Sequence, residues 1–211
     1  MTSIYYINKR DEMLQFIPKG SLKILEVGCG EGIFASSVKK NMKAEVWGVE
    51  LSQEAAKKAE QVIDKVICAD FTTVINSLPA HNFDCIVFND VLEHIPDPFT
   101  LLEKIKVLLK ENGCIVSSIP NVRYIGNLVE LLWKKDWQYK DGGILDITHF
   151  RFFTKRSIER MFVNAGYEIV KIEGINPTKS FKVKLLGWFS LGLFADANYM
   201  HFATVAKLKN A

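Results

Sequence analysis

Two groups of residues in this 211-residue chain have types and spacings suited to chemistry. The first is Asp146, His149 and Arg151, flanked by Ile147, Phe150 and Phe152. An imidazole titrates near neutrality, so His149 is the candidate to take a proton from a hydroxyl. Asp146 would orient that ring or bind a substrate hydroxyl, and Arg151 would hold a phosphate or carboxylate. In an extended segment alternate side chains share a face. That would set His149 and Arg151 on one side, Phe150 and Phe152 on the other, with Asp146 folding round to join the first pair. The alternative for His149 is a ring that merely packs its segment against a sheet. The second group is Glu26, Gly28, Gly30 and Gly32, followed by Glu50 twenty residues after Gly30. Glycines permit backbone angles that a Cβ forbids and let a ligand lie against the main chain. A helix starting directly after them presents unpaired N–H groups to a polar or anionic ligand. An acid in the place of Glu50 is suited to accepting both hydroxyls of a ribose.

These residues need a frame, and the chain alternates strand and helix to provide one. Ile24, Leu25 and Val27 read as a buried strand, with a helix over 31–41 after the glycines. AEVWGVEL is the second strand, and Ser52 is a plausible N-cap for QEAAKKAEQVID. KVICAD ends at Asp70, which could cap the next turn. FDCIVFND over 83–90 is apolar enough for a central parallel strand, with Asn89 and Asp90 at its carboxyl end. The helix from Pro98 to Lys110 would bury Leu101, Leu102, Ile105, Leu108 and Leu109, with Asn112-Gly113 as its C-cap. GCIVSSIP, 113–120, is the fifth strand. The rhythm then breaks for an insertion over 121–153, where NLVELLWKKDW reads as an amphipathic helix carrying Leu128, Leu131, Leu132 and Trp133. Asp141-Gly142-Gly143 reads as a turn. Thr154 caps a helix that Gly166 ends, YEIVKIEGI is strand six, and HFATVAKLK is the last strand. Ahead of all this, 9–17 reads as a short helix burying Met13, Phe16 and Ile17, preceded by Tyr5 and Tyr6. Arg10 at its start is read first as solvated and second as reaching a ligand's carboxylate. The expected fold is α/β, a doubly wound sheet in a single domain over 1–211.

The glycine register narrows the chemistry. A dinucleotide fingerprint needs a small residue where Ile33 stands, and a phosphate loop needs a Gly-Lys-Ser/Thr that is lacking. E-x-G-x-G-x-G with an acid at the second strand tip resembles the class I S-adenosylmethionine-dependent methyltransferases. That resemblance implies S-adenosyl-L-methionine as cofactor and S-adenosyl-L-homocysteine as product. It implies a seven-stranded, mostly parallel, Rossmann-like sheet, with an antiparallel last strand inserted between strands five and six. It also implies cofactor contacts from Glu26, Gly28, Gly30, Gly32, Glu50, Leu51, Asp70, Phe71 and Asn89. Within that set Asp70 would meet the adenine amino group and Phe71 would flank the ring. Leu145 to Thr154, L-D-x-T-H-x-R-F-F-T, and Ile119 to Arg123, I-P-N-x-R, are similar to a bacterial branch associated with glycan or polysaccharide biosynthesis. This suggests a small-molecule or glycan-precursor acceptor methylated at oxygen, in a pocket shaped by Asn121, Arg123, Tyr124 and Arg151, with His149 and Asp146 as the catalytic pair. A quinol or aromatic hydroxyl acceptor, or a cofactor-binding regulator without chemistry, stays open.

Composition restricts partners and compartment. Hydrophobic content of 48%, charged content of 24% and a net charge of +3 are ordinary for a globular protein. The lysines and arginines around the insertion are diluted by acids, so no phosphate-tracking stripe forms and nucleic acid is not expected. No apolar run reaches the ~18 residues of a membrane span, and the start lacks a secretory core, so the cytoplasm is expected. Cys29, Cys68, Cys85 and Cys114 fall on strands or their tips without a C-x-x-C pair, as reduced packed thiols do. No metal is expected, because the adjacent Glu93 and His94 supply too few ligands. His94 is read first as structural. The apolar stretch 182–195, flanked by Lys179, Lys182 and Lys184, is read as packing on the sheet or a partner copy, with membrane-surface contact as the alternative. Oligomeric state is not legible.

Overall fold

The computed structural model describes residues 9–179 and 192–209. Tyr5, Tyr6 and most of the 182–195 segment lie outside the described residues. Strands β1 (Lys23–Val27), β2 (Glu45–Glu50), β3 (Lys65–Cys68), β4 (Phe83–Asn89), β5 (Leu109–Pro120), β6 (Tyr167–Pro177) and β7 (Tyr199–Leu208) form one sheet in the order β3-β2-β1-β4-β5-β7-β6. Pairing is parallel from β3 through β5, and β7 runs antiparallel to both β5 and β6. The doubly wound sheet with its inverted last strand is therefore the architecture observed.

Alternation along the strands divides the core in two. Leu25, Val27, Ile86, Phe88 and Ile115 face one side, where they meet Leu101 and Leu102 of α4 (Pro98–Lys104) and Ile158, Met161 and Phe162 of α6 (Lys155–Asn164). Ile24, Val46, Cys85, Val87 and Val116 face the other. There they meet Phe34, Ala35 and Val38 of α1 (Ile33–Met42), Ala59 of α2 (Gln53–Ala59), and Met13, Phe16 and Ile17 near the amino end. A fully buried side chain of the size of Phe162 stabilises the fold by about 1.5–3 kcal/mol through burial. Ser52 caps α2 through the Ala55 N–H, Thr154 and Ser157 form a capping box on α6, and Asp70 caps the short α3 (Phe71–Val74).

The differences from expectation have local causes. The amino-terminal helix is a 3-10 turn, Asp11–Phe16. The helix begun at Pro98 ends at Lys104 and tightens to 3-10 over Ile105–Leu108. Asn112-Gly113 is not its C-cap, because β5 already starts at Leu109, paired with Phe83. The register then slips between Phe83 and Cys85, and a Cβ on Gly113 would lie 2.9 Å from the Lys110 carbonyl oxygen and 3.0 Å from that of Phe83. That glycine answers a close approach between strands, which reads in sequence like a helix stop. In the insertion, α5 spans Ile125–Leu132 and buries none of its residues; Leu132 and the following Trp133 are 68% and 86% exposed. Cys29, Cys68, Cys85 and Cys114 are all free thiols.

Candidate active site

At the carboxyl end of β1 the chain turns through Gly28, Gly30 and Gly32 with φ of 70°, 54° and 77°. The glycines have different work. A Cβ on Gly28 would stand 2.7 Å from Val91 Cγ2, so it keeps the turn against the segment after β4. A Cβ on Gly32 would meet Ala59 and Val62 within 3.1 Å, which makes it a helix-packing residue. Sequence reasoning missed Gly48, whose absent Cβ leaves room for Cys29 Sγ at 2.5 Å. Glu50 is buried and accepts from the Gly30 N–H and the Ser52 N–H, each at 2.8 Å, so it braces the turn.

Glu26 is 3% exposed, and its Oε1 accepts from Asn89 Nδ2 at 3.2 Å. Glu26 Oε2 and Asn89 Oδ1 are buried without a hydrogen-bond partner among the described residues. Burial pushes the Glu26 carboxyl up to about 8, with Asn89 and the Ala35 backbone N–H drawing it partly back. Two unsatisfied acceptors on adjacent strand ends, beside a glycine turn, suit a ligand that carries an ammonium group and lies against the main chain. Leu51, exposed at the tip of β2, offers an apolar surface beside Glu50. Asp70 is exposed, and its Oδ1 accepts from the Thr72 N–H and hydroxyl. Phe71, expected to flank an adenine, is buried and stands edge-on to Phe88 at 5.9 Å.

Beyond β4 lies a buried polar network that the sequence does not announce. Asp90 has φ 53°, accepts from Ser118 Oγ at 2.8 Å, and is paired with Arg10. Arg10 is 8% exposed, so the solvated reading fails: its guanidinium also reaches Glu12 at 3.3 Å and His201 Nε2 at 3.5 Å. Burial, reinforced by Arg10, holds His201 down at about 3 and therefore neutral.

The 146–152 segment is a turn, not an extended strand. Asp146 Oδ1 accepts from the Thr148 N–H at 2.8 Å and hydroxyl at 2.6 Å, and the His149 N–H returns to the Asp146 carbonyl. His149 and Arg151 consequently part. Arg151 is exposed and donates to the Pro96 carbonyl at 2.7 Å. Phe152 sits on the His149 side, 6.2 Å from its ring and edge-on to Trp137 at 5.4 Å. The Glu93 carbonyl accepts from the N–H groups of Phe150 and Arg151, which lays this turn against Glu93-His94. His94 and His149 meet edge to face with centroids 4.6 Å apart. His149 Nδ1 donates to the Ile144 carbonyl at 3.0 Å, and His94 Nδ1 to the Thr148 carbonyl at 3.3 Å. Burial lowers both imidazoles, and each ring's neighbours act on top of that: His149 pushes His94 down further, while Asp146 raises both. Glu93, 1% exposed, is pushed up to about 8 by burial. One ligand atom from each of Glu93, His94 and His149 lies within 4.8 Å of the others. The expectation that Glu93 and His94 lack a third donor is thus corrected, since the fold brings His149 to them across more than fifty residues.

Of the expected acceptor residues, Tyr124 lines a cleft of about 240 Å³ together with Glu130, Lys140, Ile144, Leu145 and Met200. Asn121 does not: it is fully buried, donates to the Asp196 and Tyr199 carbonyls, and accepts from the Arg123 N–H. Arg123 is held by Asp196 at 2.7 Å and by the Leu193 carbonyl at 2.8 Å. These two residues fasten the insertion to the turn before β7.

Comparison with known proteins agrees with this fold. A family model described as a methyltransferase domain matches residues 5–172. A ubiquinone biosynthesis O-methyltransferase of Actinobacillus pleuropneumoniae is 35% identical over 108 residues, covering 47% of this chain and 46% of that one. The chain thus spans about half the length of the first curated relatives it matches. An uncharacterised protein of Methanocaldococcus jannaschii is 30% identical over 169 residues, covering 80% of this chain and 74% of the relative. Among solved structures, an S-adenosylmethionine-dependent methyltransferase of Archaeoglobus fulgidus superposes with a TM-score of 0.68 at 21% identity, covering 93% and 91% of the two chains, a likeness of fold. Among the described residues, no helix is long and apolar enough to cross a membrane. With its β3-β2-β1-β4-β5-β7-β6 sheet, its glycine turn and the family model over most of its length, the chain belongs to the methyltransferase-domain family.

Proposed function

We propose that this protein transfers a methyl group from S-adenosyl-L-methionine to a hydroxyl oxygen of a small acceptor, leaving S-adenosyl-L-homocysteine. The cofactor supplies an electrophilic methyl on a sulfonium. The chain's part is to hold it, to align the acceptor and to remove the acceptor's proton. Glu26 and Asn89 would take its amino group, Gly28 and Gly30 its close approach to the backbone, and Glu50 with Leu51 its ribose and base, Asp70 standing at the next strand end. Gly32 supports this by packing α1 on α2.

The observation that carries the oxygen-directed reading is His149. Its Nδ1–H is fixed on the Ile144 carbonyl, and Ile144 itself lines the 240 Å³ cleft. That tautomer leaves the Nε2 lone pair for an acceptor's proton, and Asp146 positions the turn that carries the ring. Val91, against Gly28, lies two residues before Glu93, so the segment after β4 links the glycine turn to the histidines. Tyr124 would bound the acceptor, and the exposed Arg151 would meet an anionic substituent. A glycan precursor fits the 145–154 resemblance. An aromatic hydroxyl is the second reading, favoured by Phe152 beside His149, by Trp137 and Tyr139 packed against Phe152, and by the names of the O-methyltransferase relatives.

The test is production of S-adenosylhomocysteine with two acceptor panels, phenols and catechols against sugars and sugar nucleotides. Turnover with either panel, lost in His149→Ala with S-adenosylhomocysteine affinity retained, is the expected result. Cofactor binding without turnover on any hydroxyl acceptor would leave the regulatory reading in its place.

A further inference from the structure

The geometry points to a divalent-cation site formed by Glu93, His94 and His149, for an ion of the zinc, manganese or cobalt kind. Four observations converge. The donor atoms lie within 4.8 Å of one another. Glu93 is 1% exposed, and neither of its carboxylate oxygens has a hydrogen-bond partner among the described residues. Buried carboxyl oxygens are ordinarily satisfied, and an ion is one of the few things that satisfies both at once. Each imidazole is also oriented from behind. His149 Nδ1–H is on the Ile144 carbonyl, and His94 Nδ1–H is shared between the Thr148 carbonyl and hydroxyl, at 3.3 and 3.1 Å. The Thr148 hydroxyl in turn donates to Asp146 Oδ1 at 2.6 Å. A ring N–H fixed on a carbonyl, with a carboxylate behind it, is the outer arrangement that metal-binding histidines use.

The size is right with a small adjustment. Ligands about 2.0–2.2 Å from an ion stand about 3.4 Å from each other in a tetrahedron, so donor atoms up to 4.8 Å apart must close by up to about 1.4 Å. Two imidazoles and one carboxylate suit a borderline transition ion and suit magnesium or calcium poorly, since those prefer all-oxygen sets. Three protein ligands leave a position for an oxygen from outside. The inference rests on the reading above in placing the acceptor at this cluster, and it changes the part His149 plays there from base to ligand. With the ion present the His149 lone pair is a ligand, the acceptor hydroxyl coordinates the ion, and its proton leaves to water from an oxygen the ion has acidified. Methyl transfer to that oxygen follows without a histidine base.

The chain is stripped with a chelator and titrated with Zn²⁺, Mn²⁺, Co²⁺ and Mg²⁺ in the absence of acceptor, by calorimetry and by competition with a chromophoric chelator. One Zn²⁺ per chain is expected, with Mg²⁺ far weaker, and Co²⁺ giving a visible d–d band. Glu93→Gln and His149→Ala should each weaken Zn²⁺ by more than the roughly 10–100-fold that loss of an outer-sphere partner costs. His81→Asn and Cys68→Ser, which alter other ligand-capable residues, should leave it unchanged. S-adenosylhomocysteine affinity and melting temperature show that the variants fold, and His94→Gln replaces any that does not. Wild-type affinity in Glu93→Gln and His149→Ala, or no bound ion at all, would overturn the inference. A bound ion without hydroxyl methylation would sink the proposed function and leave the site standing; hydroxyl methylation by a chain that binds no ion at these residues would do the reverse.

Discussion

Replacing Glu26 with glutamine should make the protein more stable, by an amount that grows with pH. Burial holds this carboxyl at about 8 against an ordinary 4.5, so the folded chain prefers it protonated. Below pH 4.5 both folded and unfolded chains carry the proton, and Glu26 does not influence the pH dependence. Above that the unfolded chain releases its proton while the folded one keeps it, and stability falls by about 1.4 kcal/mol per pH unit until the folded carboxyl also ionises near 8. The full window corresponds to about 5 kcal/mol, with about 3 already lost at pH 7. A glutamine side chain cannot ionise, so the difference between Glu26→Gln and its parent should be small at pH 4.5 and reach several kcal/mol by pH 8–9. Urea unfolding at half-unit steps measures this directly. Glu93 titrates over the same window in both proteins and cancels from the difference. The same substitution should weaken S-adenosylhomocysteine, since a ligand ammonium gains most from the ionised acid. For the parent, that affinity should therefore rise as pH approaches 8. Parallel stability curves for parent and Glu26→Gln between pH 4.5 and 8 would show that the site is wetter than its 3% exposure implies, and the reasoning would fall.

Two further substitutions test the supports of the site. Arg10→Met strands Asp90 without its buried cationic partner and should cost about 3–5 kcal/mol in unfolding measurements; a change under 1 kcal/mol would mean the pair is solvated. Glu50→Ala removes the acceptor of two backbone N–H groups, so it should lower stability by about 1–3 kcal/mol as well as weaken the cofactor. Loss of affinity with an unchanged melting temperature would show that Glu50 acts on the ligand alone.

The frame was legible because it is written in short-range signals. Apolar strand runs, capping residues and a glycine-dense strand-to-helix turn are local, and they showed the alternation of strand and helix, while the methyltransferase resemblance supplied the last strand's place. What escaped is long-range. Arg10 reads as solvated until β4 and β7 bring Asp90 and His201 to it, some eighty and one hundred and ninety residues away. Glu93-His94 looks short of donors until the Glu93 carbonyl fastens the 150–151 backbone and delivers His149. The alternation that set His149 beside Arg151 assumed an extended segment; an Asp146–Thr148 side-chain turn broke it. Asn121 and Arg123 read in sequence as acceptor residues, yet their polar groups are spent on the 193–199 backbone and Asp196. Polar residues that tie loops together and those that touch substrate have the same composition, and only their partners tell them apart.

The place of β7 also sets an order on synthesis. Among the described residues, β6 has no partner in the sheet except β7, which pairs with it from Tyr199 to Leu208 and with β5 on its other edge. While the ribosome is still extending the chain, the five parallel strands can gather around β1 and β4, but β5 presents an open edge and β6 hangs from α6 unpaired. The thirty or so residues that follow β6 take about 2–6 s to be made at ordinary elongation rates. For that interval the nascent chain carries two unsatisfied strand edges with β-branched residues on them, the template that another nascent copy could join. Val205 and its neighbours close both edges in one event, so this domain completes its sheet from the inside, with the last strand acting as the wedge.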